Sequence, residues 1–250
     1  MSDMYQIGVD ESGRGPMLGP LVVVAVAIPS EDLKILKDFQ INDSKKLSSK
    51  KRKIAYENLE KMRIERNWKI EIIVCEPIEI DFAMETTNLN TLETELFAKS
   101  INKLNINKLG GGKIILDACD VNEERFGNRV TKLIENWNPY EWNIISKHSA
   151  DELFKVVGAA SIIAKVTRDQ LIENLESQLG FEIGSGYPSD DKSKSALSKL
   201  CEGDFPNEHL RWEWSSIQKY WNKVKGRNPP KRKYKKIKKI NSRQSSLDDY

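Results

Sequence analysis

The chain has 250 residues, of which 39% are hydrophobic, and its formal net charge is +3 at pH 7. That length is enough for one well-buried core with a smaller appended lobe. No apolar run is long enough to cross a bilayer, and the first residues lack the charged and then apolar pattern of a signal peptide. The sequence therefore predicts a soluble, cytoplasmic protein that does not enter a membrane.

Cysteine and histidine are both scarce in this chain. Cys75, Cys119 and Cys201 form an odd set without close spacing, which favours reduced thiols over a disulfide framework or a zinc site. The only histidines are His148 and His209, which disfavours histidine-rich zinc, copper or iron chemistry. Any metal chemistry is therefore expected to rest on carboxylates.

The positive charge is concentrated near the carboxyl terminus. Eleven of the 40 basic residues lie between residues 223 and 243, a stretch without an acid, whereas residues 1–222 carry 29 basic and 35 acidic residues. Pro229, Pro230 and the lysine run that follows them are typical of a chain without a packed core. The sequence predicts a disordered basic tail over 224–250.

Hydrophobic patterning predicts strands that alternate with helices along the chain. The strand over 21–28 is expected to be buried on both faces and to pair with the strand over 5–9 at the sheet centre. Asp151 is predicted to open a long helix that is apolar nearly all round. The predicted strands are 5–9, 21–28, 68–75, 113–116 and 142–146, and the predicted helices are 48–66, 90–104, 151–166, 191–200 and 209–223. This alternation indicates an α/β core.

The most informative segment is residues 7–16, where an apolar strand leads into Asp10 and Glu11 and then into the turn Gly13-Arg14-Gly15. Adjacent strand residues point to opposite faces, so the two carboxylates converge only if the strand ends there and the backbone bends. A guanidinium in a glycine-rich loop suits phosphate recognition, and divalent cations would mediate between phosphate and carboxylates. The alternative interpretation is a polar strand end followed by a surface turn.

Five ordered sequence blocks, spanning about residues 5–215, resemble ribonuclease HII, the type 2 ribonuclease H family. The first is the Gly-Val-Asp-Glu-Ser-Gly-Arg-Gly-Pro segment at residues 8–16. The others are Asp-Ser-Lys-Lys-Leu-Ser at 43–48, Leu-Asp-Ala-Cys-Asp-Val at 116–121, Ala-Asp at 150–151 leading to Ala-Ala-Ser-Ile-Ile-Ala-Lys-Val at 159–166, and Gly-Ser-Gly-Tyr-Pro-Ser-Asp at 184–190. The last block is typical of the archaeal and eukaryotic branch.

The resemblance implies an RNase H-like mixed β-sheet flanked by helices, with a catalytic core over 1–180, a small helical lobe over 181–223 and the tail over 224–250. It also implies that four carboxylates are catalytic and bind two divalent cations, Mg²⁺ or Mn²⁺. These are Asp10, Glu11, Asp117 and Asp151. Three other acids lie nearby in the sequence and could also be metal ligands: Asp120, Glu152 and Asp169. For these the alternative to metal binding is a role in helix capping or in a surface ion pair.

The implied activity is endonucleolytic hydrolysis of the RNA strand of RNA/DNA hybrids and incision at ribonucleotides embedded in duplex DNA, by a monomer, leaving 3′-hydroxyl and 5′-phosphate ends. The residues that match substrate-binding positions of the family are Gly13, Arg14, Gly15, Lys45, Lys46 and Tyr187. One alternative is a non-catalytic nucleic-acid or clamp-binding adaptor, which would gain nothing from four clustered carboxylates. Another is a DNA-directed nuclease, which would not need readers of the 2′-hydroxyl group.

The last seven residues resemble the box by which replication and repair enzymes bind a sliding clamp. Gln244, Leu247 and Tyr250 occupy its first, fourth and seventh positions. A helical turn would place Leu247 and Tyr250 on one face. The sequence therefore predicts a clamp as a partner, against the alternative of a solvated chain end without function.

Overall fold

The computed structural model describes residues 4–39, 41 and 47–234. They form two compact units. The first unit contains the described residues of Met1–Arg14, Leu21–Cys75 and Thr87–Arg168, and the second contains those of Gly15–Pro20, Glu76–Thr86 and Asp169–Tyr250. The domain boundaries expected at residues 180 and 223 stay predictions.

Five strands and eight α-helices lie within the described residues. The strands are β1 (Tyr5–Ser12), β2 (Leu21–Pro29), β3 (Lys69–Cys75), β4 (Gly112–Asp117) and β5 (Trp142–Lys147). The helices are α1 (Ser49–Glu65), α2 (Pro77–Thr86), α3 (Leu89–Lys103), α4 (Glu123–Thr131), α5 (Ala150–Leu153), α6 (Lys155–Leu179), α7 (Asp191–Leu200) and α8 (Ser215–Lys225). Helices α2 and α4 were not predicted, and α8 begins at Ser215 rather than at residue 209.

The strands form one mixed sheet in the first unit, in the order β3-β2-β1-β4-β5. Strand β1 pairs antiparallel with β2 and parallel with β4. Strand β2 is buried from Leu21 to Ile28, as expected for a strand covered on both faces. The predicted mixed sheet flanked by helices is confirmed.

Strand β1 is longer than predicted. Its ladder with β4 ends at Val9 and Leu116, but its ladder with β2 continues through Asp10 and Glu11 to Ser12. The expectation that the strand ends at the two carboxylates was therefore wrong on one side only. Because β2 supplies backbone partners beyond Val9, extended structure persists on that side while the β4 side opens.

The long helix predicted from Asp151 is divided in two. Phe154 adopts an extended conformation (φ −125°, ψ 116°) between α5 and α6. Helix α6 then begins so close to β1 that a Cβ atom on Gly8 would lie 2.4 Å from the carbonyl carbon and oxygen of Val156. The absence of a side chain at Gly8 therefore permits this backbone approach, and the short helix α5 carries Asp151 separately.

The second unit has its own apolar core, formed by residues from α6, α7, α8 and the segment around Met17 and Leu18. Leu18 forms an antiparallel β-bridge with Leu210. The first part of the basic tail is also described, and Arg232 is nearly buried because it binds the carboxylate of Asp81 at 2.7 Å.

All three cysteines are free thiols, as predicted, and Cys75 and Cys201 are buried. Among the residues that the structure describes, the helices include none with the length and apolar character needed to cross a membrane.

Candidate active site

Asp10 and Asp117 lie side by side at the carboxyl ends of two parallel strands. The β1–β4 ladder ends with Val9 opposite Leu116, so the next residue on each strand is an aspartate. Asp10 is 4% exposed. Since carboxyl ends of parallel strands meet at one edge of a sheet, the topology by itself brings the two side chains to the same place.

Asp10 and Glu11 are coupled to each other. The backbone N–H of Glu11 donates to Asp10 Oδ1 at 2.7 Å. Burial and the neighbouring charge of Glu11 raise the pKa of Asp10 well above its ordinary value. Burial, followed by the charge of Glu93, raises the pKa of Glu11 to about 7, and Asp117 contributes in the same direction. Both carboxylates are therefore ionised only at a free-energy cost.

Asp117 and Asp151 are joined to this pair through backbone and side-chain contacts. The N–H of Ala150 donates to Asp117 Oδ1 at 2.9 Å, which places the following residue, Asp151, beside the end of β4. Asp151 is 3% exposed. The four acids that the family resemblance implied therefore all lie in the first unit, and the charge of Asp117 acts on Glu11.

Ser161 and Lys165 of α6 connect two of these acids, and the sequence analysis did not select either residue. Lys165 Nζ donates to Ser161 Oγ at 2.7 Å and lies 3.9 Å from Asp151 Oδ2. The Ser161 side chain in turn hydrogen-bonds Asp10. Their spacing of four residues on a helix was a signal that both side chains share one face.

A third residue that the sequence analysis did not select is Glu93 of α3, whose side chain is fully buried. Its carboxylate binds the Arg14 guanidinium. Oxygen atoms of Glu11 and Glu93 and the sulfur of Cys119 lie within 4.8 Å of one another. Glu93 precedes the buried Phe97 by four residues, so helical phase could have indicated a charged residue on the core face of α3.

Asp120, one of the alternative acids, is engaged elsewhere. It is 2% exposed and accepts a hydrogen bond from Arg125 Nε at 2.9 Å. Hydrogen bonding by Arg125 lowers the pKa of Asp120. An arginine partner of this kind satisfies the carboxylate without a metal ion, as the ion-pair alternative predicted.

The second unit places Tyr187 against Gly15. A Cβ atom on Gly15 would lie 3.3 Å from Tyr187 Cε1, and the Tyr187 side chain is exposed. Asp190 organises this loop by accepting from the backbone N–H and the hydroxyl of Ser185, each at 2.6 Å. Those hydrogen bonds lower the pKa of Asp190 to about 2.

Two groups of predicted site residues lie outside the described residues. These are the substrate-binding candidates Lys45 and Lys46 and the clamp-binding candidates Gln244, Leu247 and Tyr250.

The first-unit carboxylates have the properties expected of a cation site. Their donors are all oxygen atoms, the type that Mg²⁺ and Mn²⁺ prefer. Glu11 Oε2 is buried and has no hydrogen-bond partner among the residues that the structure describes. Positive charge placed between these groups would relieve the repulsion that raises the pKa of Asp10 and Glu11. The residues therefore fit a divalent cation.

A mixed five-stranded sheet with acids at the carboxyl ends of its central strands defines a nuclease of the RNase H-like class. The family model described as Ribonuclease HII matches residues 7–217. The chain therefore belongs to the ribonuclease HII family, and it is a ribonuclease H, a nuclease that hydrolyses phosphodiester bonds. Membership implies endoribonuclease activity on RNA/DNA hybrids.

Curated relatives of this chain are archaeal. A ribonuclease HII of Methanococcus maripaludis (strain C6) is 45% identical over 193 residues, which cover 77% of each chain. One from Thermococcus kodakarensis is 37% identical over 245 residues, covering 97% of this chain and 96% of the relative. The predicted archaeal and eukaryotic branch is thus consistent with the relatives found.

Solved structures show the same architecture. The ribonuclease H2 of Pyrococcus horikoshii OT3 matches with a TM-score of 0.75 at 34% identity, over 90% of this chain and 100% of the other. A structure described as the PCNA:RNase HII complex from Archaeoglobus fulgidus matches with a TM-score of 0.72 at 28% identity, over 98% of this chain and 100% of the matched one.

Proposed function

We propose that this ribonuclease cleaves the RNA strand of RNA/DNA hybrids and also incises duplex DNA at a single embedded ribonucleotide, leaving 3′-hydroxyl and 5′-phosphate ends. The observation that carries the proposal is the placement of Asp10 and Glu11 at the carboxyl end of β1, of Asp117 at that of the parallel strand β4, and of Asp151 on the short helix α5, whose Ala150 N–H donates to Asp117. An adaptor that only bound nucleic acid would pay for burying these acids without any gain.

The four carboxylates are proposed to hold two Mg²⁺ or Mn²⁺ ions, with Asp10 as the shared ligand. Such ions, when bound, activate the attacking water and stabilise the leaving oxygen. The protein's own contribution is to keep the ligands in place. Ala150 holds the Asp117 carboxylate through its N–H group, and Lys165, directly and through Ser161, holds those of Asp151 and Asp10.

Recognition of the ribose is proposed to rest on the turn Gly13-Arg14-Gly15 and on Tyr187. Gly13 has a φ of 95°, a backbone conformation that favours glycine. In the second unit the Tyr187 ring packs beside Gly15 with its side chain exposed, as a residue that contacts a sugar requires. Lys45 and Lys46 are proposed to contact phosphates.

Cleavage of three matched duplexes tests the proposal. One strand is all RNA, all DNA, or DNA with one ribonucleotide, and each duplex is incubated with Mg²⁺ or Mn²⁺. We expect the first and the third to be cut and the all-DNA duplex to be spared. Sealing of the products by a ligase that requires a 5′-phosphate checks the end chemistry. Equal cleavage of all three duplexes would instead support the DNA-directed alternative.

We further propose that the last seven residues bind a sliding clamp. The structure from Archaeoglobus fulgidus, described as a complex of PCNA with RNase HII, covers 98% of this chain and supports the proposal. Calorimetric titration of the full chain with its homologous clamp should give a Kd on the order of micromolar or weaker. The matched control is the full chain carrying Leu247→Ala and Tyr250→Ala, and binding unchanged by these substitutions would exclude this segment as the contact.

A further inference from the structure

Arg14 directs its guanidinium into the first unit. Its Nη1 donates to Glu93 and to the carbonyl oxygen of Cys119 at 3.0 Å, and its Nη2 donates to Asn90 Oδ1 at 2.9 Å. These partners lie on α3 and in the segment after β4. The sequence interpretation assigned this guanidinium to a phosphate, but in the structure its donors are directed to protein oxygens.

Glu93 is the charged partner in this arrangement. Its side chain is fully buried, and a buried carboxylate is costly unless it is paired and hydrogen-bonded. Helix α3 packs on β1 and β2, and a carboxylate oxygen of Glu93 lies within 4.8 Å of one of Glu11, the residue that follows Asp10 on β1. The ion pair therefore ties the turn after β1 to a rigid helix.

We propose that Glu93 is a positioning residue for ribose recognition: it holds Arg14, and Arg14 fixes the backbone of the turn that reads the 2′-hydroxyl group. The inference rests on the proposed recognition of ribose by that turn. Gly13 has a φ of 95°, a conformation that residues other than glycine seldom adopt, and the next residue, Arg14, holds the turn to Glu93 and Asn90 of α3. Displacement of a positioned group by about 1 Å is enough to cost on the order of a hundredfold in rate.

The measurement that tests this role is a selectivity ratio. It compares kcat/KM for a duplex with one ribonucleotide with kcat/KM for the same duplex carrying a 2′-fluoro-2′-deoxy nucleotide there. Glu93 is also close to Glu11, so its substitution will change the chemistry on both substrates. The ratio cancels that shared effect and reports only the reading of the hydroxyl group.

Glu93→Ala should lower this ratio about tenfold to a hundredfold. Glu93→Gln keeps an oxygen acceptor for Arg14, so its selectivity ratio should lie between those of the wild type and of Glu93→Ala. This variant also allows the test to be made if Glu93→Ala does not fold. Because Glu93 acts through Arg14, the ratio of the double variant Arg14→Ala with Glu93→Ala should equal that of Arg14→Ala alone.

Asp32 provides the matched structural control. It is a buried acid of the same unit that accepts hydrogen bonds from Trp68 Nε1 at 2.9 Å and from Arg66 Nη1 at 3.2 Å. Asp32→Ala should lower the melting temperature and leave the ratio unchanged.

Failure of this inference differs from failure of the proposed function. A wild-type ratio near one would remove the proposed reading of the 2′-hydroxyl itself. A high wild-type ratio that persists in both Glu93 variants would overturn the positioning role alone. A parallel rise in KM for both substrates with the ratio unchanged would show that Arg14 binds phosphate, which also contradicts the inference.

Discussion

Two buried acidic regions of this protein are built in opposite ways. Asp81 of the second unit is fully buried and accepts hydrogen bonds from Arg232 at 2.7 Å and from the backbone N–H groups of Trp212 and Glu213 at 3.0 and 3.2 Å. Asp10 and Glu11 of the first unit instead face other carboxylates. A carboxylate used for folding is thus surrounded by donors, whereas the candidate active site concentrates like charges.

The two regions differ in how much the burial of an ionised carboxylate costs in free energy of folding. Burial raises the pKa of Asp81 too, but hydrogen bonds from Arg232 and two backbone N–H groups lower it and so offset part of the effect of burial. In the first unit, the charges of Glu11, Glu93 and Asp117 add to the cost of burial. A bound cation would offset this repulsion between carboxylates, in agreement with the proposed function.

Substituting one acid in each region should therefore change stability in opposite directions. Asp10→Asn removes a repelled charge, so the metal-free melting temperature should rise while cleavage falls roughly a thousandfold, or about 4 kcal/mol of transition-state stabilisation. Asp81→Asn should destabilise the fold by about 3 kcal/mol, because Arg232 loses its charged partner. Calorimetry and hybrid cleavage per folded molecule measure the two effects.

Near wild-type turnover in Asp10→Asn would remove the four-carboxylate mechanism. A melting temperature that falls in both variants would show that the two regions do not differ as proposed.

Asp151 and Asp120 make a closer comparison within the first unit. Asp151 lies near the Lys165 ammonium at 3.9 Å in the carboxylate cluster, whereas Asp120 binds Arg125. Asp151→Asn should lower cleavage of a hybrid about a hundredfold, less than the loss of Asp10, the proposed shared ligand. Asp120→Asn should leave kcat within about twofold. Loss of activity in Asp120→Asn with activity kept in Asp151→Asn would identify the wrong acid in the proposed set.

The sequence predicted correctly those helices and strands whose residues carry the signal themselves, as an apolar run or a helix cap. The apolar run of β2 and the cap of α1, where Ser48 accepts from the N–H of Lys51, are of this kind. Helix α2 was not predicted. It buries Asp81, which accepts hydrogen bonds from the backbone N–H groups of Trp212 and Glu213, and these residues are far away in the sequence. Local sequence carries little of that information.

The residues of the candidate site also fall into two groups, those that the sequence indicated and those that only the structure shows. Asp10, Glu11 and Asp117 follow apolar strands, which a single sequence shows directly, but the choice of these three and of Asp151 as the metal-binding set required the family resemblance. Glu93, Ser161 and Lys165 contact the site from helices far along the chain, so only the assembled structure shows their contacts. The Arg14 guanidinium was assigned to phosphate because its buried partner on α3 could not be inferred.

Tyr187 offers a smaller test in the second unit. Tyr187→Ala removes the ring beside Gly15 and should lower incision at a single ribonucleotide by about 1–3 kcal/mol, or roughly fivefold to 150-fold. Tyr187→Phe keeps the ring and should retain most of the activity if packing against the sugar dominates. Melting curves separate this role from folding, since equal loss on every substrate together with a much lower melting temperature would make Tyr187 a structural residue.

The smallest expected effect is a dependence of stability on pH between 8 and 5, to which Glu11 of the first unit contributes and Asp190 of the second does not. Burial and neighbouring charge raise the pKa of Glu11 from 4.5 to about 7. Between these two pH values Glu11 is therefore protonated in the folded protein but ionised in the unfolded chain. Stability of the metal-free protein should therefore increase as pH falls from 8 to 5, because the repelled charge is removed. We expect the melting temperature in a chelator to rise by a few degrees over this range.

Asp190 supplies the contrast, because its pKa is lowered from 3.8 to about 2 by the hydrogen bonds from Ser185. Its contribution is fully present above its unfolded value and is lost only as pH falls toward 2, so it is constant between pH 8 and 5. Glu11→Gln should accordingly reduce the rise in melting temperature as pH falls from 8 to 5. Asp190→Asn should lower the melting temperature by the same amount at every pH in this range, so that its dependence on pH is unchanged. A wild-type melting temperature that falls steadily from pH 8 to 5 would contradict the repulsion at the carboxylate cluster, since protonation there would then be destabilising.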